Sequence, residues 1–174
     1  MRAEEEEALR NQREAADRLP YVHWFLVLVF IIITLGLYQP VWFLRRRWGL
    51  APLSRHLSVS AGAMWFCLAY LAFSLMANLG LAFLDGLMEG AGAMHGGQIL
   101  AMVQSGFSVV DMIVNVVVLV LMLVQTFRVR RILLEHFHRT GQQVKVRWFW
   151  TLLLTILYLQ HKINKEIIEP HLED

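Results

Sequence analysis

The chain has 174 residues, of which 57% are hydrophobic, and a mean hydropathy of +0.48; a soluble domain ordinarily holds about 45–50% apolar residues. Its 16 Lys and Arg against 14 Asp and Glu leave a net charge of +2, which excludes a field that would gather nucleic acid. A single cysteine, Cys67, excludes an intramolecular disulfide and a thiolate metal cluster, and within its hydrophobic run it reads as a small apolar residue.

Residues 1–20 form a polar N-terminal tail with four Arg and six acidic residues. This reads as a solvated tail or a short helix, ended by Pro20. The first hydrophobic segment, 21–44, carries no Asp, Glu, Lys or Arg, and Gly36 and Pro40 are expected to break its helix. Glu4 to Glu7 precede it, and Tyr38-Gln39-Pro40 and three arginines follow where a cleavable signal peptide would need a small-residue site. Arg45, Arg46, Arg47 and Trp48 close the segment as a headgroup-level anchor.

The second segment, 57–84, is 28 residues without a charge, about 42 Å of helix and enough to cross a bilayer with tilt. Asp85 ends it, and Gly86, Gly90, Gly92, Gly96 and Gly97 make the loop 85–97 flexible by composition. The third segment, 98–127, contains one charge, Asp111. Arg128, Arg130 and Arg131 then open an amphipathic helix carrying Ile132, Leu133, Leu134 and Phe137, for which Gly141 is a natural stop.

The fourth segment, 146–160, is short. Trp148 to Gln160 is 13 residues, about 20 Å as a helix against a hydrocarbon core of about 30 Å. It spans by snorkelling Arg147 and Lys162 outward, or it lies in the interface or re-enters. The tail 161–174 is polar, with Ile163, Ile167 and Ile168 spaced for one or two amphipathic turns. The first and fourth segments echo each other. Val22-His23-Trp24-Phe25 parallels Val146-Arg147-Trp148-Phe149, and each leads through apolar residues to a Thr and a Leu-Tyr pair. Shared membrane composition accounts for this; a duplicated element flanking a central hairpin is the sharper reading.

Positive charge sets the orientation. Four Lys and Arg lie in the N-terminal tail, four in the first loop (Arg45, Arg46, Arg47, Arg55), none in the Gly-rich loop, six between Arg128 and Arg147, and two in the C-terminal tail. The loops 45–56 and 128–147 are therefore expected in the cytosol and the loop 85–97 outside. Four full spans would put 10 positive charges inside and 6 outside, whereas a central pair flanked by re-entrant segments gives 16 to 0. The charge rule favours the second arrangement, and the length of the first segment favours the first.

Ile33-Thr34-Leu35-Gly36-Leu37-Tyr38, followed by Val41-Trp42-Phe43 and basic residues, resembles the opening of a bacterial membrane family catalogued as domain of unknown function 4234. Tyr158-Leu159-Gln160-His161-Lys162-Ile163-Asn164 looks like a second signature of such proteins. Together they cover about a fifth of the chain. The long acidic N-terminal tail and the Gly-rich loop depart from the family's usual form. The resemblance implies a small protein of the bacterial inner membrane and carries over no catalytic residue.

One polar stripe stands out as a candidate site. Gln104, Ser108, Asp111 and Asn115 are spaced 4, 3 and 4, and Ser74, Asn78 and Asp85 are spaced 4 and 7, so each set shares a helix face. A carboxylate at this depth costs about 2.5–3.5 kcal/mol in lipid and should face protein or water. The stripe is either interhelical glue or an outward-facing ion, proton or headgroup site. His136 and His138, two apart, point to different faces, and no metal-ligand spacing stands out. Arg45, Arg46, Arg47, Arg128, Arg130 and Arg131 read as topology determinants and lipid anchors. The expectation is an all-α integral membrane protein with four hydrophobic helical segments: a central spanning hairpin flanked by two segments that span or re-enter. No cofactor or metal is implied. The lipid bilayer, other membrane subunits or a second copy of the chain are the partners. An accessory or interaction subunit is the leading role, and a small transporter or lipid-handling protein working through Asp111 is the alternative.

Overall fold

The computed structural model describes residues 2–54, 56–90, 94–142 and 146–172, and every regular element among them is helical. Arg55, Gly92 and Lys145, counted above in loops, lie outside the described residues. The elements are α1 (Arg2–Arg18), α2 (Trp24–Ile33), α3 (Tyr38–Leu50) continued by a 3-10 turn (Ala51–Leu53), α4 (Ala61–Gly90), α5 (Met94–Arg139), α6 (Trp148–Ile163), a π-helical turn (Asn164–Ile168) and α7 (Glu169–Leu172).

Two helices dominate. At about 1.5 Å per residue, the 30 residues of α4 reach about 45 Å and the 46 of α5 about 69 Å. Ser60 caps α4 by accepting from Ala63 N at 3.4 Å, so the helix begins four residues later than the uncharged run. Ser60 N donates to Gln125 Oε1 at 3.1 Å, which fixes the start of α4 against α5. From there α5 runs on past α4 by about 21 Å. The arginines at 128–131 do not end it. It stops in a Schellman motif, with Gln142 N on Phe137 O, Gly141 N on His138 O and Gly141 at φ +68°.

Only 11% of the most apolar 18-residue window is buried in each of these two helices. A core helix of a soluble protein would be mostly covered. Phe73, Met76, Val110, Val117 and Val120 instead stand exposed along them.

The first hydrophobic segment is not one helix. α2 closes in a second Schellman motif, Gly36 N bonding Ile31 O and Leu35 N bonding Ile32 O, with Leu35 at φ 51° and Gly36 at φ 90°. Thr34 Oγ1 donates to Phe30 O at 2.6 Å and accepts from Tyr38 N at 3.0 Å, so one hydroxyl serves the end of α2 and the start of α3. Gly36 makes the break; Pro40 sits in the first turn of α3, where a missing N–H costs nothing. α2 has 10 residues, about 15 Å, half of a hydrocarbon core.

The fourth segment is also broken. Thr155 has φ 40° and ψ −112° inside α6. Tyr158 Oη accepts from Arg147 N at 3.2 Å. Eleven residues of straight helix would set these positions about 16 Å apart, beyond the reach of a tyrosine; α6 folds back on itself. The sequence echo thus coincides with a shared shape, a break at Thr34 or Thr155 followed by Leu37-Tyr38 or Leu157-Tyr158. The two broken elements pack together, α2 against α6.

Both ends of the chain join the base. Gln12, Ala15 and Leu19, spaced 3 and 4, are the buried face of α1 and its end. α1 packs on α3, the 3-10 turn, α5 and the π turn. The C-terminal segment read as a polar tail buries Ile163, Ile167 and Ile168 in the same core as Trp42, Phe43, Leu50, Ile132, Leu133 and Phe137. The architecture is a long two-helix hairpin rising from a compact helical base that holds residues near both termini.

Candidate functional site

The polar stripe condenses at Asp111 into a clasp between α4 and α5. Tyr70 Oη donates to Asp111 Oδ1 at 2.7 Å and lies 3.1 Å from Asp111 O. Ser74 Oγ donates to the same Oδ1 at 2.6 Å, and Asn115 Nδ2 donates to Oδ2 at 2.9 Å. Asn78 Nδ2 turns back onto its own helix, 2.8 Å from Ser74 O. The carboxylate therefore accepts three charge-assisted bonds, two of them across the hairpin. Tyr70, Ser74 and Asn78 are spaced 4 and 4 on one face, so the tyrosine absent from the predicted stripe belonged to a pattern the sequence already carried.

The rest of the stripe is not drawn in. Gln104, Ser108 and Asp85 are exposed, and their side chains make no hydrogen bond among the described residues. What the clasp does chemically is orient two helices and satisfy the Asp111 carboxylate with hydrogen bonds.

The predicted anchors divide. Arg45 and Trp48 are exposed, and Arg47 stacks on Trp48 with its Cζ 4.3 Å from the ring centroid. Arg46 does not reach a headgroup. It is 1% exposed, its Cζ lies 4.7 Å from the Trp42 ring centroid, and its Nε and Nη2 have no hydrogen-bond partner among the described residues. The i, i+4 row Trp42, Arg46, Leu50 explains this, because all three are on the buried face of α3. Burial pushes the guanidinium down to about 10, against an opposing pull from Tyr38. Arg130 is also turned inward, donating through Nε and Nη2 to Val146 O at 3.2 and 3.0 Å. Arg128 and Arg131 are exposed.

A second polar layer, which sequence spacing did not reveal, ties the base together. Trp42 Nε1 donates to Gln160 Oε1 at 3.0 Å, Gln160 Nε2 to Asn164 Oδ1 at 2.5 Å, and Asn164 Nδ2 to Val22 O at 2.8 Å. Gln12 Nε2 donates to Glu166 O at 3.2 Å, and its Oε1 lies 3.3 Å from His136 Nε2. Ser54 Oγ donates to Glu135 Oε2 at 2.6 Å. His136 is fully buried on the part of α5 beyond Arg128; burial, helped by nearby Arg139, pulls it down to about 4. Only Gln160 and Asn164, four apart, were a visible pair; the others join residues more than 80 positions apart.

Between the two broken elements, Trp24, Leu154, Leu157, Tyr158 and His161 line an apolar cavity of about 340 Å³. Among the described residues, no three His, Cys, Asp or Glu side chains are grouped to hold a metal ion. No family model, curated protein or solved structure matches the chain.

Proposed function

We propose that this chain is a non-catalytic protein of the bacterial inner membrane in which α4 and α5 cross the bilayer as a clasped hairpin. Its role is that of an accessory or interaction subunit. The observation that carries the reading is the pairing of a nearly uncovered apolar hairpin with an internally satisfied Asp111. A working ion or proton site would keep ligand capacity free, whereas this carboxylate is taken up by Tyr70, Ser74 and Asn115.

In this reading α2 and α6 are re-entrant elements on the cytosolic side. Support comes from their breaks at Thr34–Gly36 and Thr155, their mutual packing, and the packing of α1 and the π turn on the same base as α3. All sixteen Lys and Arg then belong to one side, with the far end of the hairpin, where α4 gives way to α5, on the other. The likeness to domain of unknown function 4234 is part of the same proposal; Thr34 to Tyr38 and Tyr158 to Asn164 would be the segments that shape the two re-entrant elements.

Transport or lipid handling through an outward-facing site is the competing reading. It is favoured by Gln104 and Ser108, polar and exposed on the Asp111 face. A partner helix covering them serves equally well. The test is a growth phenotype for Asp111→Asn at matched protein level, combined with a photo-crosslinking residue at Ser108. Full activity and a defined protein adduct support the subunit; loss of activity with normal accumulation supports the site.

A further inference from the structure

The three arginines at 128–131 do different things. Arg130 is held by Val146 O. The side chains of Arg128 and Arg131 are exposed and make no hydrogen bond or ion pair among the described residues. Being three apart, they share a face of α5. That face continues into an apolar groove of about 440 Å³ lined by Val120, Leu123, Val124, Phe127, Arg128 and Arg131.

The lining has an order. Val120, Val124 and Arg128 form one i, i+4 row, and Leu123, Phe127 and Arg131 form the row beside it. Each row is apolar, apolar, basic in the same direction, so the groove is greasy for about 12 Å and ends in two guanidinium groups. An occupant must match that polarity, with an anionic head and an apolar tail aligned with the helix. A soluble anion would use the arginines and leave the apolar rows bare. A peptide helix would need acidic residues at one end only.

We propose that this groove binds one anionic phospholipid, its phosphate between Arg128 and Arg131 and an acyl chain along Val120–Val124 and Leu123–Phe127. The proposal rests on the reading of α5 as a spanning helix with its inner end near Arg128, where the Ser60–Gln125 bond also marks the inner end of α4. Arginine is suited to the head because its planar fork can hold two phosphate oxygens at once.

The experiment uses the full chain exchanged from mixed phosphatidylglycerol and phosphatidylcholine into detergent, with retained lipid counted by native mass spectrometry. The expected result is one phosphatidylglycerol held in preference to phosphatidylcholine. Arg128→Ala with Arg131→Ala should cut that preference about 30-fold, roughly fivefold for each arginine. Arg128→Lys with Arg131→Lys should keep most of it, and Arg10→Ala, at an exposed arginine of α1, should leave it unchanged. Equal retention of the two lipids, an unaffected double alanine variant or an equal loss in Arg10→Ala would overturn the site. Displacement of the lipid by millimolar inorganic phosphate would overturn it in favour of a free-anion site, and a stoichiometric acidic protein in its place would overturn it in favour of a protein groove. A cysteine at Val124 in lipid vesicles separates the two levels: labelling from water defeats the spanning reading, while protection without lipid preference defeats only the site.

Discussion

Replacing Asp111 by leucine removes the acceptor on which two α4 side chains converge. Tyr70 Oη at 2.7 Å and Ser74 Oγ at 2.6 Å both lose a bond that crosses the hairpin. Hydrogen bonds between membrane helices contribute about 0.6 kcal/mol on average and about 1.7 at most, which bounds the pair at about 1–3 kcal/mol. Tyr70 keeps a fallback in Asp111 O at 3.1 Å, so the loss should fall in the lower half, about 1–2 kcal/mol. Asp111→Asn retains an amide oxygen for Tyr70 and Ser74 and should lie within about 0.5 kcal/mol of the native chain. The assay is equilibrium unfolding of the purified protein by titrating sodium dodecyl sulfate into mild micelles. Ser74→Ala is combined with Asp111→Leu to give the coupling, which should be about 0.6 kcal/mol. Zero coupling, or an Asp111→Leu variant more stable than the native chain, would refute the clasp.

Three further outcomes follow from the base. Gly36→Ala places a side chain at φ 90° with open space around it and should cost about 1 kcal/mol, whereas Thr155→Gly relieves φ 40° and should stabilise by a similar amount; thermal melts of both variants test the two breaks. Gly49→Ala would set a Cβ 2.7 Å from Leu19 Cγ and Cδ2, an overpacking worth about 1–3 kcal/mol that should appear as faster proteolysis between α1 and α2. His136 is held near 4, below its ordinary 6.5, so the unfolded chain takes the proton first. Its share of stability is complete above pH 6.5 and is lost as pH falls towards 4, by at most about 1.4 kcal/mol per unit. His136→Gln should flatten that part of the melting profile.

The long hairpin and its clasp were legible because they rest on local rules. Uncharged length located α4 and α5 but not their inner bounds. α4 runs past Asp85 to Gly90 and α5 begins at Met94, so most of the loop expected at 85–97 is helix, because one charge or glycine does not break an i, i+4 ladder. The i, i+4 spacing put Ser74, Asp111 and Asn115 on meeting faces. The stop at Gly141 was legible from the glycine, whereas the unbroken run through Arg128 was not, because charge was taken as a boundary between two helices. Arg46 looked like its neighbours Arg45 and Arg47, yet steps of about 100° per residue point adjacent residues in different directions, and the Trp42–Arg46–Leu50 row faces inward. The first and fourth segments were read by length, while their shape comes from residues at positive φ. Gly36 announced this; Leu35 and Thr155 did not, because nothing in either residue type favours that conformation. The links from Trp42 to Gln160 and from Gln12 to Glu166 join distant parts of the chain, beyond any spacing rule.

The central claim is that one hairpin crosses the membrane and everything else stays on the basic side. Single cysteines in a Cys67→Ala background test it most directly, at Gly86 near the outer turn and at Arg10, Arg45, His138 and Lys165 in the base. An impermeant maleimide applied to intact spheroplasts should label Gly86→Cys alone, the other four reacting only after lysis. Labelling of Arg10→Cys and Lys165→Cys without lysis would mean that the flanking segments cross as well, and would contradict the account.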